Sequence, residues 1–278
     1  MADVYATVEQ AKRAAAANRN TAAEAATLWL THLAAASGEV DARTGREFAA
    51  RLVTAYLDVP RACAENYYGT RLFLPFDVTS ITSLKPYSSS PLTYGTAYVE
   101  NTDYLAVRED GDDNKPILYL DRLSGTWTAG ERSLQLVGYR GYSYEVETTG
   151  LTVQNDPLTN SATSLTVVSS ADLQAGMTLK LESEQVYVDA VVNNTTLTIV
   201  RAWNGTTAAE HAAATAISRR RYPRAIEEAT ALRAIDLYRG APAAFGGSAG
   251  GEGSGFSSPT VYAQFTGLLR PFKRWSMV

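Results

Sequence analysis

The chain is constrained most by a break in its own continuity. The stretch Tyr222 to Gly240 (YPRAIEEATALRAIDLYRG) reads as a helix, and the Gly/Tyr-rich run Gly138 to Val146 (GYRGYSYEV) would lead into it were residues 151–218 absent. Proline at the first helical position needs no backbone donor there, and Glu227 and Glu228 in the first turn favour the positive end of the helix dipole. Ala225, Ala229, Leu232 and Ile235 recur at helical spacing and give one apolar face, with Arg239 and Gly240 placed to close the end. The intervening residues have a different period. They are rich in Thr, Val and Ser and alternate at Ser164 to Val168, Met177 to Leu181, Val186 to Val191 and Leu197 to Val200, with turns at Gly176, Asn193-Asn194 and Asn204-Gly205. This predicts a small β-barrel or sandwich inserted between sheet and helix. The insert also differs in charge, with two basic and six acidic side chains for a net of −4. That is the whole formal charge of the chain, so the remaining residues sum to zero.

At 278 residues with 45% hydrophobic side chains, the chain has ample material for a buried core. A pI near 5.4 leaves no overall basic footprint for wrapping nucleic acid, although transient, non-specific contact with duplex DNA is compatible with it. Cys63 is the only cysteine, so an internal disulfide and a multi-cysteine metal cluster are excluded. The opening residues MADVYATVEQAKR lack a signal pattern and no apolar run reaches membrane-spanning length, so synthesis in a host cytoplasm and no membrane partner are expected.

Along the chain, residues 1–20 read as a mobile arm. Thr21-Ala-Ala-Glu24 forms a capping box for a helix running to about Ser37, with Leu28, His32 and Ala35 on one face and Gly38 as the stop. Thr44-Gly-Arg-Glu47 forms a second box, for a helix carrying Phe48, Leu52 and Tyr56 at i, i+4 and i+8, which would complete a helical hairpin. Short alternating runs follow at Leu72 to Pro75, Ile81 to Leu84, Tyr104 to Val107, Ile117 to Leu120 and Leu134 to Val137, predicting a small antiparallel sheet. The expected fold class is therefore α+β: an N-terminal helical hairpin, a small antiparallel sheet and a C-terminal helix, with an inserted all-β module. In domain terms this is a core of 21–150 plus 219–244, a β-module at 151–218, a Gly/Ser-rich linker at 245–259 and a C-terminal arm at 260–278. Thr260 to Gln264 reads as a short strand within that arm.

No catalytic constellation emerges. The chain has two histidines: His32 sits in an apolar helix and His211 in a Thr/Ala-rich segment, where packing and loop hydrogen bonding are the ordinary roles. Nucleophile-elbow, Walker and HExxH motifs are absent, and Gly251-Glu-Gly253-Ser-Gly255 lacks the strand and helix a dinucleotide loop needs. Asp110 to Asn114 opens like a calcium loop, but Lys115 stands where that loop needs glycine, so a hairpin turn is expected. No cofactor, metal or catalytic residue is assigned. Arg219-Arg-Arg221 is the one dense basic run and reads as a salt-bridged strand end. The C-terminal arm stands apart: Leu268, Leu269, Arg270, Pro271, Phe272, Lys273, Arg274 and Trp275 join apolar anchors to positive charge behind a glycine tether, and are the candidate partner-binding residues.

Taken in order, the helical pair, LFLPFDVTSITSLKPY, DYLAVRED, LDRLSGTW and the Tyr-Pro helix resemble the head-tail adaptor (connector, head-completion) proteins of long-tailed double-stranded DNA phages. The run from Leu181 to Ile217, with Glu184, Arg201, Gly205, Thr206, Thr207 and His211, resembles a small β-module found inside many phage structural proteins. The resemblance implies a virion structural protein without enzymatic activity. It would act at the neck between head and tail as a homo-oligomeric ring, typically of twelve subunits, that binds the portal, extends the DNA channel during ejection and receives the tail or a stopper or tail-terminator protein. The alternatives are another virion part, such as a tail terminator, tail-tube or decoration protein, or a glycan-active enzyme using carboxylates of the insertion, where Glu182 and Glu184 share a strand face and Asp189 lies on the other.

Overall fold

The computed structural model describes residues 3–16, 26–89, 93–113, 115–143, 145–245 and 259–274. Within them the chain is mostly β, with two antiparallel sheets of six strands each and four α-helices. The chain divides into two compact units, residues 1–46 with 145–278, and residues 47–144.

The expected N-terminal helical hairpin is corrected. One helix, α2 (Ala26–Thr44), is present, and the segment assigned to its partner is strand β1 (Arg51–Val59). The period misleads for a simple reason: offsets of four and eight are even, so Leu52 and Tyr56 share a strand face as readily as a helix face. Val53, Thr54, Tyr56 and Val59 then favour the pleated, half-buried surface. Thr44 ends a helix rather than starting one. Its hydroxyl donates to the Val40 carbonyl at 2.8 Å, and Gly45, at φ +66°, turns the chain out. The Thr21 box lies outside the described residues. Gly38 does not stop α2, which runs through it to Thr44, with Trp29, Leu33, Ala36 and Val40 forming a buried stripe on both sides of it. That stripe is rotated from the expected face; Leu28 is exposed.

In residues 47–144 the sheet order is β1, β6 (Gly130–Arg140), β2 (Arg71–Ser89), β5 (Ile117–Arg122), β4 (Tyr104–Arg108), with β3 (Thr93–Tyr94) paired to β2. The two short runs expected at 72–75 and 81–84 are parts of β2, which spans 19 residues and is bent by register shifts at Phe73/Val78, Val78/Ser80 and Ile81/Ser83. The bend lets one sheet wrap a core of its own, centred on Leu57, Leu72, Leu84, Leu120, Trp127 and Leu136. Gly138 is required at the closest crossing, since a Cβ there would lie 2.2 Å from the Ser80 carbonyl oxygen.

The other unit contains the second sheet, in the order β7 (Val146–Thr152), β12 (Ala216–Arg220), β9 (Thr178–Leu181), β10 (Glu184–Asn193), β11 (Thr196–Val200), β8 (Ser164–Thr166). Its ends are drawn together where the Gln154 amide donates to Thr166 O at 2.9 Å and the Asn155 side chain bonds both Thr166 N and Ser164 O, curling the sheet towards a barrel around Leu165, Leu179, Val186, Leu197 and Ile217. The first and last strands are neighbours, with Val146 opposite Arg220 and Glu147 opposite Arg219.

In the same unit α1 (Val8–Ala16), α2, α3 (Arg224–Phe245) and α4 (Pro259–Leu269) supply a helical cluster with Val4, Trp29, Leu33, Ala234 and Ile235 at its centre. The Tyr-Pro helix forms as expected but continues past Gly240 to Phe245, and the strand expected at 260–264 is the start of α4. Val4, Tyr5, Ala6 and Val8, from the stretch read as an arm, are buried. Asp3 Oδ1 accepts from Trp203 Nε1 at 2.7 Å and Asn204 Nδ2 at 3.2 Å, tying the chain's start to the barrel. No helix among the described residues is long and apolar enough to cross a membrane.

Candidate functional site

The C-terminal arm is positioned by α4 and the turn that follows it. Proline opens α4, and Phe265 and Leu269, four residues apart, are buried against the rest of the unit. Arg43 of α2 lies 5.0 Å from the centroid of the Tyr262 ring and 5.9 Å from that of Phe265. Beyond the helix, Arg46 Nε donates to the Phe272 carbonyl at 2.9 Å and the Arg274 amide donates to the Thr44 carbonyl at 2.7 Å, so the arm's backbone satisfies groups at the C-terminus of α2.

The eight residues singled out in the sequence therefore divide. Leu269 is buried, and Leu268, Phe272 and Arg274 are half-buried on the same chain. Arg270, Pro271 and Lys273 are exposed, and Trp275 lies outside the described residues. Between the arm and the last turns of α2 runs a groove lined by Ala42, Arg43, Leu269, Arg270, Pro271 and Lys273, three apolar and three basic residues. Ala42 and Arg43 were not foreseen. Arg43 is held by Glu39 at 2.8 Å, and Glu39 also accepts from Arg233 at 2.5 Å. Burial alone would raise the Glu39 carboxyl, but the two guanidiniums outweigh it and hold it below the usual range.

A second cluster lies in the barrel. Glu184, at the start of β10, has a fully buried side chain. Arg201 clasps it with two parallel bonds, Nε to Oε1 at 2.8 Å and Nη2 to Oε2 at 2.7 Å, and the amides of Ala202 (3.0 Å) and Ala209 (3.1 Å) donate to the same carboxylate. His211, also buried, stands 2.9 Å from Glu184 through Nε2 and 2.9 Å from Glu182 through Nδ1. Burial acts to raise the Glu184 carboxyl, yet Arg201, the two amides and His211 prevail and push it down to about 2. Glu182 and Glu184, weighed as a glycan-active pair, thus converge on one histidine. Glu184 has five donors around it and joins β10, the end of β11 and the 202–211 loop, which is the work of a structural clasp. Thr206 belongs to it as well: its hydroxyl accepts from the Gln185 amide at 3.0 Å and donates to Trp203 O at 2.8 Å. The basic run ends as expected in ion pairs, Arg219 with Glu147 at 2.7 Å and Arg221 with Glu147 at 3.2 Å and Glu227 at 3.3 Å.

Comparison with protein-family models, with curated proteins and with solved structures finds no match to this chain.

Proposed function

We propose that this protein is a virion structural component, a head-tail adaptor that assembles as a ring, of about twelve copies if it follows the proteins it resembles, between the portal and the tail of a double-stranded DNA phage. The observation that carries the reading is the pairing of β7 with β12, Val146 opposite Arg220. It brings the two ends of the interrupting β-module side by side, as an insertion into a sheet-then-helix order requires. The reading rests on the runs from Leu72 onward and on α2 and α3, since the second helix of the pair is a strand. The clasp of Glu184 and Arg201 supports a structural rather than a chemical role for the module. A near-neutral to acidic chain suits a conduit, because dense Lys and Arg contacts to phosphate would retard passing DNA. The C-terminal arm, with Arg270, Pro271 and Lys273 exposed, is the proposed contact to the portal or to the next subunit. Native mass spectrometry and electron microscopy of the protein, alone and mixed with portal, test the reading. Rings stacked on portal are expected, and a chain that stays monomeric and never joins portal overturns it.

A further inference from the structure

We infer that the groove between α2 and the C-terminal arm receives an acidic patch of the β-barrel of a second copy of this chain. The inference rests on the ring reading above and gives its subunit contact a chemistry. The groove is lined by the apolar Ala42, Leu269 and Pro271 and the basic Arg43, Arg270 and Lys273, and of these only Leu269 is buried. Arg43 is committed to Glu39 and to the Tyr262 and Phe265 rings. Arg270 and Lys273 are exposed and have no ion-pair partner among the described residues. Residues 259–274 hold three cationic side chains and no acidic one. A groove whose lining includes two exposed cations without an acidic partner fits an anionic partner.

The chain itself carries such a partner surface. All of its net negative charge falls in 151–218. After Arg201 is subtracted as the internal partner of Glu184, the exposed acids there include Asp156, Glu182 and Glu210. All three lie close, in the chain or by a bond, to the Leu158–His211 bridge. Asp156 is two residues before Leu158, Glu210 is adjacent to His211, and Glu182 is bonded to His211 at 2.9 Å. The groove and the acidic residues are separate patches of one chain, so pairing them in succession from copy to copy is a head-to-tail contact, the type of interface that closes into a ring. Contacts of this kind are made between exposed charges and are weakened by salt.

Charge reversal with complementation tests it. One variant carries Arg270→Glu and Lys273→Glu; another carries Asp156→Lys and Glu210→Lys; all four sites are exposed, and a melt of each variant confirms folding. Sedimentation velocity and native mass spectrometry read assembly. Each variant alone is expected to assemble about tenfold or more weakly than wild type. An equimolar mixture, or a chain carrying all four changes, should form rings again, because reversed groove then meets reversed barrel. Wild-type rings indifferent to both reversals, or two defects that neither mixing nor the fourfold variant repairs, overturn this inference and leave the adaptor reading standing. A wild-type chain that stays monomeric at every concentration and with portal overturns both.

Discussion

Removing the Glu184 carboxylate should unfasten the barrel, and the size of the effect can be worked from its contacts. In Glu184→Ala the guanidinium of Arg201, only 7% exposed, loses both bonds of its fork, and the amides of Ala202 and Ala209 lose their acceptor. Breaking a buried ion pair by deleting one partner costs about 3–5 kcal/mol, because the survivor is left charged and dry. The orphaned amides add to this, but water entering the vacated space offsets part of it, and Arg201 keeps bonds to the carbonyls of Thr159, Ala162 and Ala209. A loss of about 4 kcal/mol is expected. Two compact units make a single unfolding curve a poor measure, so the probe must sit in the barrel. Trp203, stacked on Tyr187 at 4.7 Å, serves when tryptophan is fluorinated and its resonance is followed through urea unfolding. The paired replacement Glu184→Met with Arg201→Met removes both charges together and should recover most of the loss, giving a double-mutant cycle with a large coupling. A Glu184→Ala barrel within about 1 kcal/mol of wild type, or a double variant no better than the single one, would show that the clasp is not what holds the barrel closed.

Three further outcomes follow from the same geometry. Because the folded Glu184 carboxyl lies at about 2, below its unfolded value, its contribution of about 3 kcal/mol is complete above roughly pH 4.5 and is lost as pH falls towards 2; barrel unfolding across that window should steepen in wild type and flatten in Glu184→Gln. Tyr67 and Tyr68 hold left-handed backbone at φ 49° and 56° in a turn fixed by Asn66, whose side chain accepts from Cys63 N and Gly69 N and donates to Arg61 O. Tyr68→Gly should relieve about 1 kcal/mol of strain and leave stability unchanged or slightly raised, whereas Asn66→Ala should lower the melt of the 47–144 unit by about 2 kcal/mol; the reverse order in thermal denaturation would refute the account. Asp3→Ala deprives Trp203 Nε1 and Asn204 Nδ2 of an acceptor, and hydrogen exchange should rise in residues 3–8 and in the 203–206 turn but not in β5; uniform exchange across both units would contradict it.

Much of the β structure was legible because turn residues punctuate period-two runs, and β4, β5, β9 and β11 fall where the alternation places them. The errors share a cause, namely patterns that satisfy two periods. Phe48, Leu52 and Tyr56 fit a helix and a strand alike, and Val261, Phe265 and Leu269 fit a helix although the run around Thr260 looks extended. The runs at Leu72 to Pro75 and Ile81 to Leu84 look like two strands, yet β2 continues between them through a register shift after Phe73, where the missing donor of Pro75 is tolerated. The chain's start was harder still. Asp3 resembles any solvated terminal acid, and only the fold brings Trp203, Asn204 and Thr178 around it.

The candidate sites show the same division at the level of single side chains. Glu184, Arg201, Thr206 and His211 stood out in the sequence as parts of a recognisable run, but their spacing carried no sign that Arg201 would fork onto Glu184 across 17 residues or that His211 would close the ring of bonds. In the arm, the apolar and basic letters were visible, while their separation was not. Burial takes Leu269 and Phe265 into the unit, while Arg270, Pro271 and Lys273 stay exposed and line one groove with Ala42 and Arg43 of α2. An arm read as a set of apolar anchors for a partner thus buries Leu269 in its own chain, and two of the three candidate residues it leaves exposed are charged. The contact proposed at this site is therefore expected to rest on electrostatic complementarity and to weaken with salt, where contacts through Leu269 and Phe265 would have been nearly indifferent to it.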